Sequence, residues 1–137
     1  MTLDQIIDYC LEKPGAYLDF PFDPTLPVVK VRAPSQAKGR IFAQPFLLRG
    51  EPKVTLNCDP ISAEHYRGLY TGSVTRGYHC PPVQQPHFNT VNLDGTVPDE
   101  ELHRMIDHAY TVVVGKYPKY IQLELAALDR GDQLTDR

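Results

Sequence analysis

The side chains best suited to chemistry gather in one stretch. Arg76-Gly77-Tyr78-His79-Cys80 is followed closely by His87-Phe88-Asn89. Two imidazoles, a phenol, a guanidinium and an amide in one hairpin can hold an anion or a nucleobase. Tyr78 or Phe88 offers a ring on which a base can stack, as in proteins that bind single strands. The plainer reading is a structural network, in which His79 and His87 tie the loop and Asn89 satisfies a backbone group. It weighs more, because most side-chain hydrogen bonds serve the backbone.

The same stretch is a poor metal site. His79, Cys80 and His87, with Cys58 as a fourth, supply the right atoms, but His79 and Cys80 are adjacent. Neighbours in a strand point to opposite faces, and zinc sites prefer spaced pairs. No metal and no cofactor is expected. Catalysis finds no better footing. No nucleophile elbow, phosphate-binding loop or dinucleotide fingerprint occurs. Cys58 falls on an inward strand position, where a small core residue is expected. Asp107-His108 falls on a helix with His108 towards solvent. No catalytic residue is assigned, and enzymatic activity is not expected.

A second set of candidates lies on strands. Alternation puts Lys30 and Arg32 on one side of the first strand, and Lys53, Thr55 and Asn57 on one side of another. Arg40 joins them, with Lys38 and Arg49 in the adjoining turns. Lys and Arg neutralise phosphates, while Asn and Thr bond to backbone or base edges. Against this stands a solvated sheet face whose charges only keep it soluble, the usual role of surface Lys and Arg.

Charge is segregated along the chain. The total is −3 over 137 residues, which counts against a dedicated DNA-binding domain. Yet residues 24–87 hold eight Lys/Arg against three Asp/Glu, a net of +5, between two flanks of −4 each. Such asymmetry can make a basic surface on an acidic protein. The length fits one domain. Three cysteines, Cys10, Cys58 and Cys80, make no disulfide framework. No signal peptide and no membrane-length apolar run is visible, so cytoplasm is the expected compartment.

The elements that must position these residues follow from periodicity. Leu3, Ile6, Ile7, Cys10 and Leu11 form a helical stripe, opened by Thr2 and Gln5 in capping-box spacing and closed by Pro14-Gly15. Phe20-Pro21-Phe22-Asp23-Pro24 reads as an irregular loop pinned by its rings. Three alternating segments follow. They are Val28 to Ala33, Arg40 to Gln44 (Ile41 and Ala43 opposite Arg40 and Phe42), and Lys53 to Cys58 with Val54, Leu56 and Cys58 inward. Asp59-Pro60 starts a helix running to about Tyr70. Val74 to Cys80 and Phe88 to Leu93 form a hairpin. From Pro98 to Gly115 runs a helix that buries Leu102, Met105, Ile106, Ala109, Tyr110 and Val113. The domain is expected to span 1–120. Residues 121–137 form an extension, a short helix carrying Ile121, Leu125 and Leu128 and then a frayed tail. The class is α+β, an antiparallel sheet packed against helices.

Several short motifs in this order resemble the MmcQ/YjbR family. They include Tyr9-Cys10-Leu11 with Pro14-Gly15, Pro21-Phe22, Leu56-Asn57-Cys58-Asp59-Pro60, and Gly77-Tyr78-His79 with His87-Phe88-Asn89-Thr90-Val91. Ile106-Asp107-His108-Ala109-Tyr110 and Lys116-Tyr117-Pro118-Lys119 complete the set. Phe88 stands where the family usually has Trp, and Thr75-Arg76 where it usually has proline. The resemblance implies an α-β(3)-α-β(2)-α fold shared with secretion-chaperone-like proteins. It also implies a DNA-binding label that rests on a double-wing shape, and shape does not establish function. It implies no catalytic residue. Two functions are therefore expected to compete. One is DNA or another acidic partner bound through Lys30, Arg32, Lys38, Arg40, Lys53, Asn57, Arg76, Tyr78, His79, His87 and Asn89. The other is a protein-interaction or chaperone-like adaptor, which predicts an apolar patch beside the basic face.

Overall fold

The computed structural model describes residues 1–78 and 80–129. His79 and the expected frayed tail lie outside the described residues. Helix α1 (Leu3–Leu11) precedes strands β1 (Ala16–Asp23), β2 (Leu26–Val31), β3 (Arg40–Leu48) and β4 (Glu51–Asn57). Helix α2 (Pro60–Leu69), strands β5 (Val74–Arg76) and β6 (Phe88–Asn92), and helices α3 (Asp99–Val114) and α4 (Lys119–Asp129) follow among the described residues. The strands form one sheet in the order β1-β2-β3-β4-β6-β5, with every neighbouring pair antiparallel. The α+β class and the antiparallel sheet stand as read from the sequence.

Local chemistry explains the helix starts. Thr2 and Gln5 close a reciprocal capping box on α1, which satisfies donors that the first turn leaves unpaired. The Asp59 side chain accepts the Ser62 N–H, and Pro60 opens α2. Gly15 turns the chain from α1 into β1 at φ +77°, and a Cβ there would meet the Arg32 carbonyl oxygen at 2.4 Å. Only glycine tolerates both demands.

Two departures matter. The stretch containing Pro21 is not an irregular loop, because β1 runs through it to Asp23. This strand lies at the sheet edge, where a proline's missing N–H deprives no neighbour. The register shifts between Asp19 and Asp23 around it. The second departure is in β3. Val29 pairs with Ala43 but Lys30 pairs with Ile41, so Phe42 is an extra residue on its strand. Such a bulge re-aims a side chain. The bulge puts Ile41, paired with Lys30, and Ala43, paired with Val29, on opposite sides of the sheet, and Phe42 is buried beside Ala43, where it meets Tyr110 edge to face at 5.5 Å.

One face of the sheet carries the core. Val29, Val31, Ala43, Val54, Leu56, Val74 and Val91 pack there against Ile6 and Cys10 of α1, and Leu102, Met105, Ile106, Ala109 and Val113 of α3. Ile121 and Leu125 of α4 join the same cluster, and Leu128 packs against it. The Tyr117 hydroxyl locks the α3–α4 joint to the sheet. It donates to the Val31 carbonyl at 2.6 Å and accepts the Arg40 N–H at 2.9 Å. Helix α2 covers the β5–β6 end, where Asn89 Nδ2 donates to the Ala63 carbonyl. The other sheet face is left open.

Candidate nucleic-acid interface

Sheet register decides which candidate residues meet. Lys30 pairs with Ile41, Phe46 with Lys53, Thr55 with Thr90, and Asn57 with Phe88. Directly paired residues share a face, so Lys30, Arg32, Phe46, Lys53, Thr55, Asn57 and Thr90 all belong to the open face. The β5–β6 connection turns back over part of it. The Tyr78 N–H donates to Thr90 Oγ1 at 2.9 Å, and Thr90 Oγ1 meets Thr55 Oγ1 at 2.7 Å. The Cys58 N–H donates to the His87 carbonyl at 2.9 Å. This cover buries Thr55 and Asn57, which the alternation alone placed at the surface.

The cations of this face do not form one patch. Along β3, Lys30 and Lys53 are registered five residues apart, one of them the bulged Phe42, which leaves about 13 Å at roughly 3.3–3.4 Å per residue. The Lys30 ammonium pairs with Asp19 at 2.6 Å. Lys53 bonds to the Asn92 side-chain oxygen. Arg32 stacks over the Tyr17 ring at 4.3 Å and donates to the Ala37 carbonyl at 2.8 Å. Arg40 leaves the set. It pairs with core-facing Val31, and its guanidinium lies 5.5 Å from the Tyr117 ring. Lys38 is exposed in the β2–β3 turn, and His87 is exposed at the end of a 3₁₀ turn, Gln85–His87.

Between the two cationic ends lies an apolar groove of about 230 Å³. Phe22, Leu26, Val28, Phe46, Leu47 and Tyr78 line it, with Gln44 and Thr55 at its base. The Phe46 and Tyr78 rings stack at 5.8 Å with an interplanar angle of 18°. Phe22 is 72% exposed and Leu47 59%, whereas a sheet face built only for solvation would carry polar side chains there. Stacked rings beside a free apolar ring can receive flat or aliphatic groups, and the flanking cations can receive anions.

The remaining hairpin candidates separate. Asn89 is 3% exposed. Its Nδ2 donates to Ala63 O at 3.2 Å, and its Oδ1 accepts Arg67 Nη1 at 2.8 Å. Arg76 pairs with Asn89 and so projects to the helix side, away from Lys30 and Lys53. Arg67 was missed from sequence because its partner is 22 residues away and its helix stripe is weak.

Elsewhere two clusters of titratable groups pair internally. His108 does not face solvent freely, because its Nε2 lies 2.9 Å from Asp59 Oδ2 and 3.2 Å from the Asp59 N–H. The Ser62 N–H holds the Asp59 carboxyl below its ordinary value. A larger cavity of about 580 Å³ lies between α1, α3 and α4. Asp107 there accepts the Tyr9 hydroxyl at 2.7 Å and pairs with Lys13. Burial, then the Asp107 hydrogen bond, pushes the Tyr9 phenol up to about 12. Burial likewise pushes Cys10 and Cys58 up to about 12, so neither is a poised thiolate. Among the described residues, no three metal-ligating side chains converge, and no helix is long and apolar enough to cross a membrane.

Comparison with known proteins agrees with this architecture. The YjbR family model matches residues 11–112. The uncharacterized protein YjbR of Escherichia coli K12 is 29% identical over 119 residues, covering 87% of this chain and 92% of that protein. The crystal structure of Deinococcus radiodurans protein DR2400, with family-model domain DUF419, superposes with a TM-score of 0.79 at 33% identity. That match covers 91% of this chain and 88% of the other. A crystal structure of a Pseudomonas syringae protein shares the fold with a TM-score of 0.65 at 21% identity, over 82% and 99% of the two chains.

Proposed function

We propose that this chain, which belongs to the YjbR family, is a binding module that takes a single strand of nucleic acid across its open sheet face. The observation that carries the reading is the stacked pair Phe46–Tyr78 beside exposed Phe22, with Lys30 and Arg32 beyond one end of the groove and Lys53 beyond the other. Bases stack on such rings with about 1–3 kcal/mol each, and only unpaired bases have faces to offer. The charge distribution supports the same side. Residues 16–58 carry six Lys/Arg against three Asp/Glu, while residues 99–129 carry three against six. An anionic strand is steered to the sheet and away from α3 and α4. The three cysteines, free thiols in the described residues, suit a reducing cytoplasm.

Fluorescence anisotropy with labelled single- and double-stranded DNA, at low and at physiological salt, tests the reading. Single strands should bind more tightly, and affinity should fall with salt by a log–log slope of about −2 for three cations. Lys53→Glu should weaken binding and flatten that slope, while Tyr78→Ala should weaken it at every salt concentration. Absence of binding at low salt sinks the reading.

A protein partner is the second reading, favoured by exposed Leu26 and Leu47 on the rim of the groove, which offer a base no stacking surface. Such a partner would make the chain an adaptor without catalysis. Leu47→Ser separates the two, since it removes the apolar side chain without adding charge and should spare oligonucleotide affinity while breaking an apolar protein contact.

A further inference from the structure

We propose a second site on the opposite side of the sheet: an oxyanion fork in which Arg67 and Arg76, on either side of Asn89, hold a phosphate group. Arg67 sits in the last turn of α2 and is fixed there. Its Nη1 donates to Asn89 Oδ1 at 2.8 Å, and Asn89 is itself anchored to the Ala63 carbonyl at 3.2 Å. That uses one of its five guanidinium donors. Arg76 is positioned by the sheet. It is the direct antiparallel partner of Asn89, and such partners hold their Cβ atoms about 4.5–5.5 Å apart on one face. An exposed arginine therefore leaves the sheet beside the same amide that holds Arg67.

Lys30, Lys13 and Arg104 each have a carboxylate partner, whereas among the described residues neither Arg67 nor Arg76 has one within 4.0 Å. Arg67 is bonded to the Asn89 amide and Arg76 is rooted in the sheet beside it, so an anion placed between them would meet both cations. Each presents a planar fork that suits two oxygens of a phosphate. The buried amide orients one fork before any ligand arrives, which lowers the ordering cost of binding.

The site does not rest on the open-face reading. Its phosphate can come from a free phosphomonoester or from the backbone of a strand that rounds the β5 edge. Both sources share the chemistry, and two arms of one experiment tell them apart. In the first arm, the Nε–Hε signals of Arg67 and Arg76 are followed by NMR while inorganic phosphate is titrated at constant ionic strength against chloride. Both signals should shift saturably with a Kd on the order of 1 mM. Arg76→Gln, an exposed edge change, should weaken that binding roughly tenfold as read at Arg67. In the second arm, oligonucleotide anisotropy is compared for the wild type and Arg76→Gln. Weaker binding assigns the phosphate to a strand backbone; unchanged binding assigns it to a free phosphomonoester, probed with adenosine monophosphate. The site is overturned if neither arginine signal saturates, or if Arg76→Gln shifts as the wild type does. Oligonucleotide binding without phosphate saturation overturns this site alone. Phosphate saturation without oligonucleotide binding overturns the open-face reading alone.

Discussion

Asn89 distinguishes a structural role from a ligand role, and the structure supplies the magnitude. Its amide makes one neutral hydrogen bond, to the Ala63 carbonyl, and one charge-assisted bond, from Arg67. Neutral bonds contribute about 0.5–1.5 kcal/mol and bonds to charged groups about 1.5–3 kcal/mol. Truncation to alanine should therefore cost about 2–4 kcal/mol. For a domain of this length, roughly 3–4 °C of melting temperature goes with each kcal/mol, so Tm should fall by about 6–16 °C. Urea unfolding followed by circular dichroism measures the loss as a lower midpoint at unchanged slope. Arg76→Gln is the control, since an exposed edge side chain should change stability by less than about 0.5 kcal/mol. If Asn89→Ala also falls within about 0.5 kcal/mol of the wild type, the amide does not tie α2 to β6. The pinned Arg67 then loses its support as well.

Tyr117→Phe removes a hydroxyl that serves the Val31 carbonyl and the Arg40 N–H; a loss of about 1–3 kcal/mol is expected in the same urea assay, and no loss would mean water replaces it. Under native conditions a thiol reagent such as DTNB should label Cys80 first, with Cys10 and Cys58 reacting only on unfolding, because both are buried with thiols pushed up to about 12. Three equally fast thiols would contradict the core assignment. Acid should destabilise the fold through Asp59, whose carboxyl is held low first by the Ser62 N–H and further by His108. A depressed carboxyl contributes stability above its unfolded pKa, and this is lost as pH falls through the folded value. Asp59→Asn should therefore flatten the stability profile below about pH 4, as measured by urea midpoints across pH.

What the chain reveals without its fold is local. Thr2 with Gln5, and Asp59 with Pro60, specify helix starts through bonds within four residues. The stripe from Leu102 to Val113 and the alternation in β2 and β4 specify buried faces through fixed periods of 3.6 and two. Strand β1 escaped this reading because Pro21 argues against a strand until the strand is known to be an edge. The bulge at Phe42 escaped because register belongs to two strands and not to one.

The candidate sites divide along the same line. Residue types at Lys30, Arg32, Lys53 and Tyr78 were legible, and the open face does bear them. Alternation assigns a side chain to a side, but it cannot say what later lies over that side. Thr55 and Asn57 are covered by the β5–β6 connection, and Asn89 by α2. Ring stacking of Phe46 on Tyr78, and the bond from Arg67 to Asn89, join segments far apart in sequence. Short-range periodicity carries no information about such distances. Only the packing of α2 and the connection onto the completed sheet decides them.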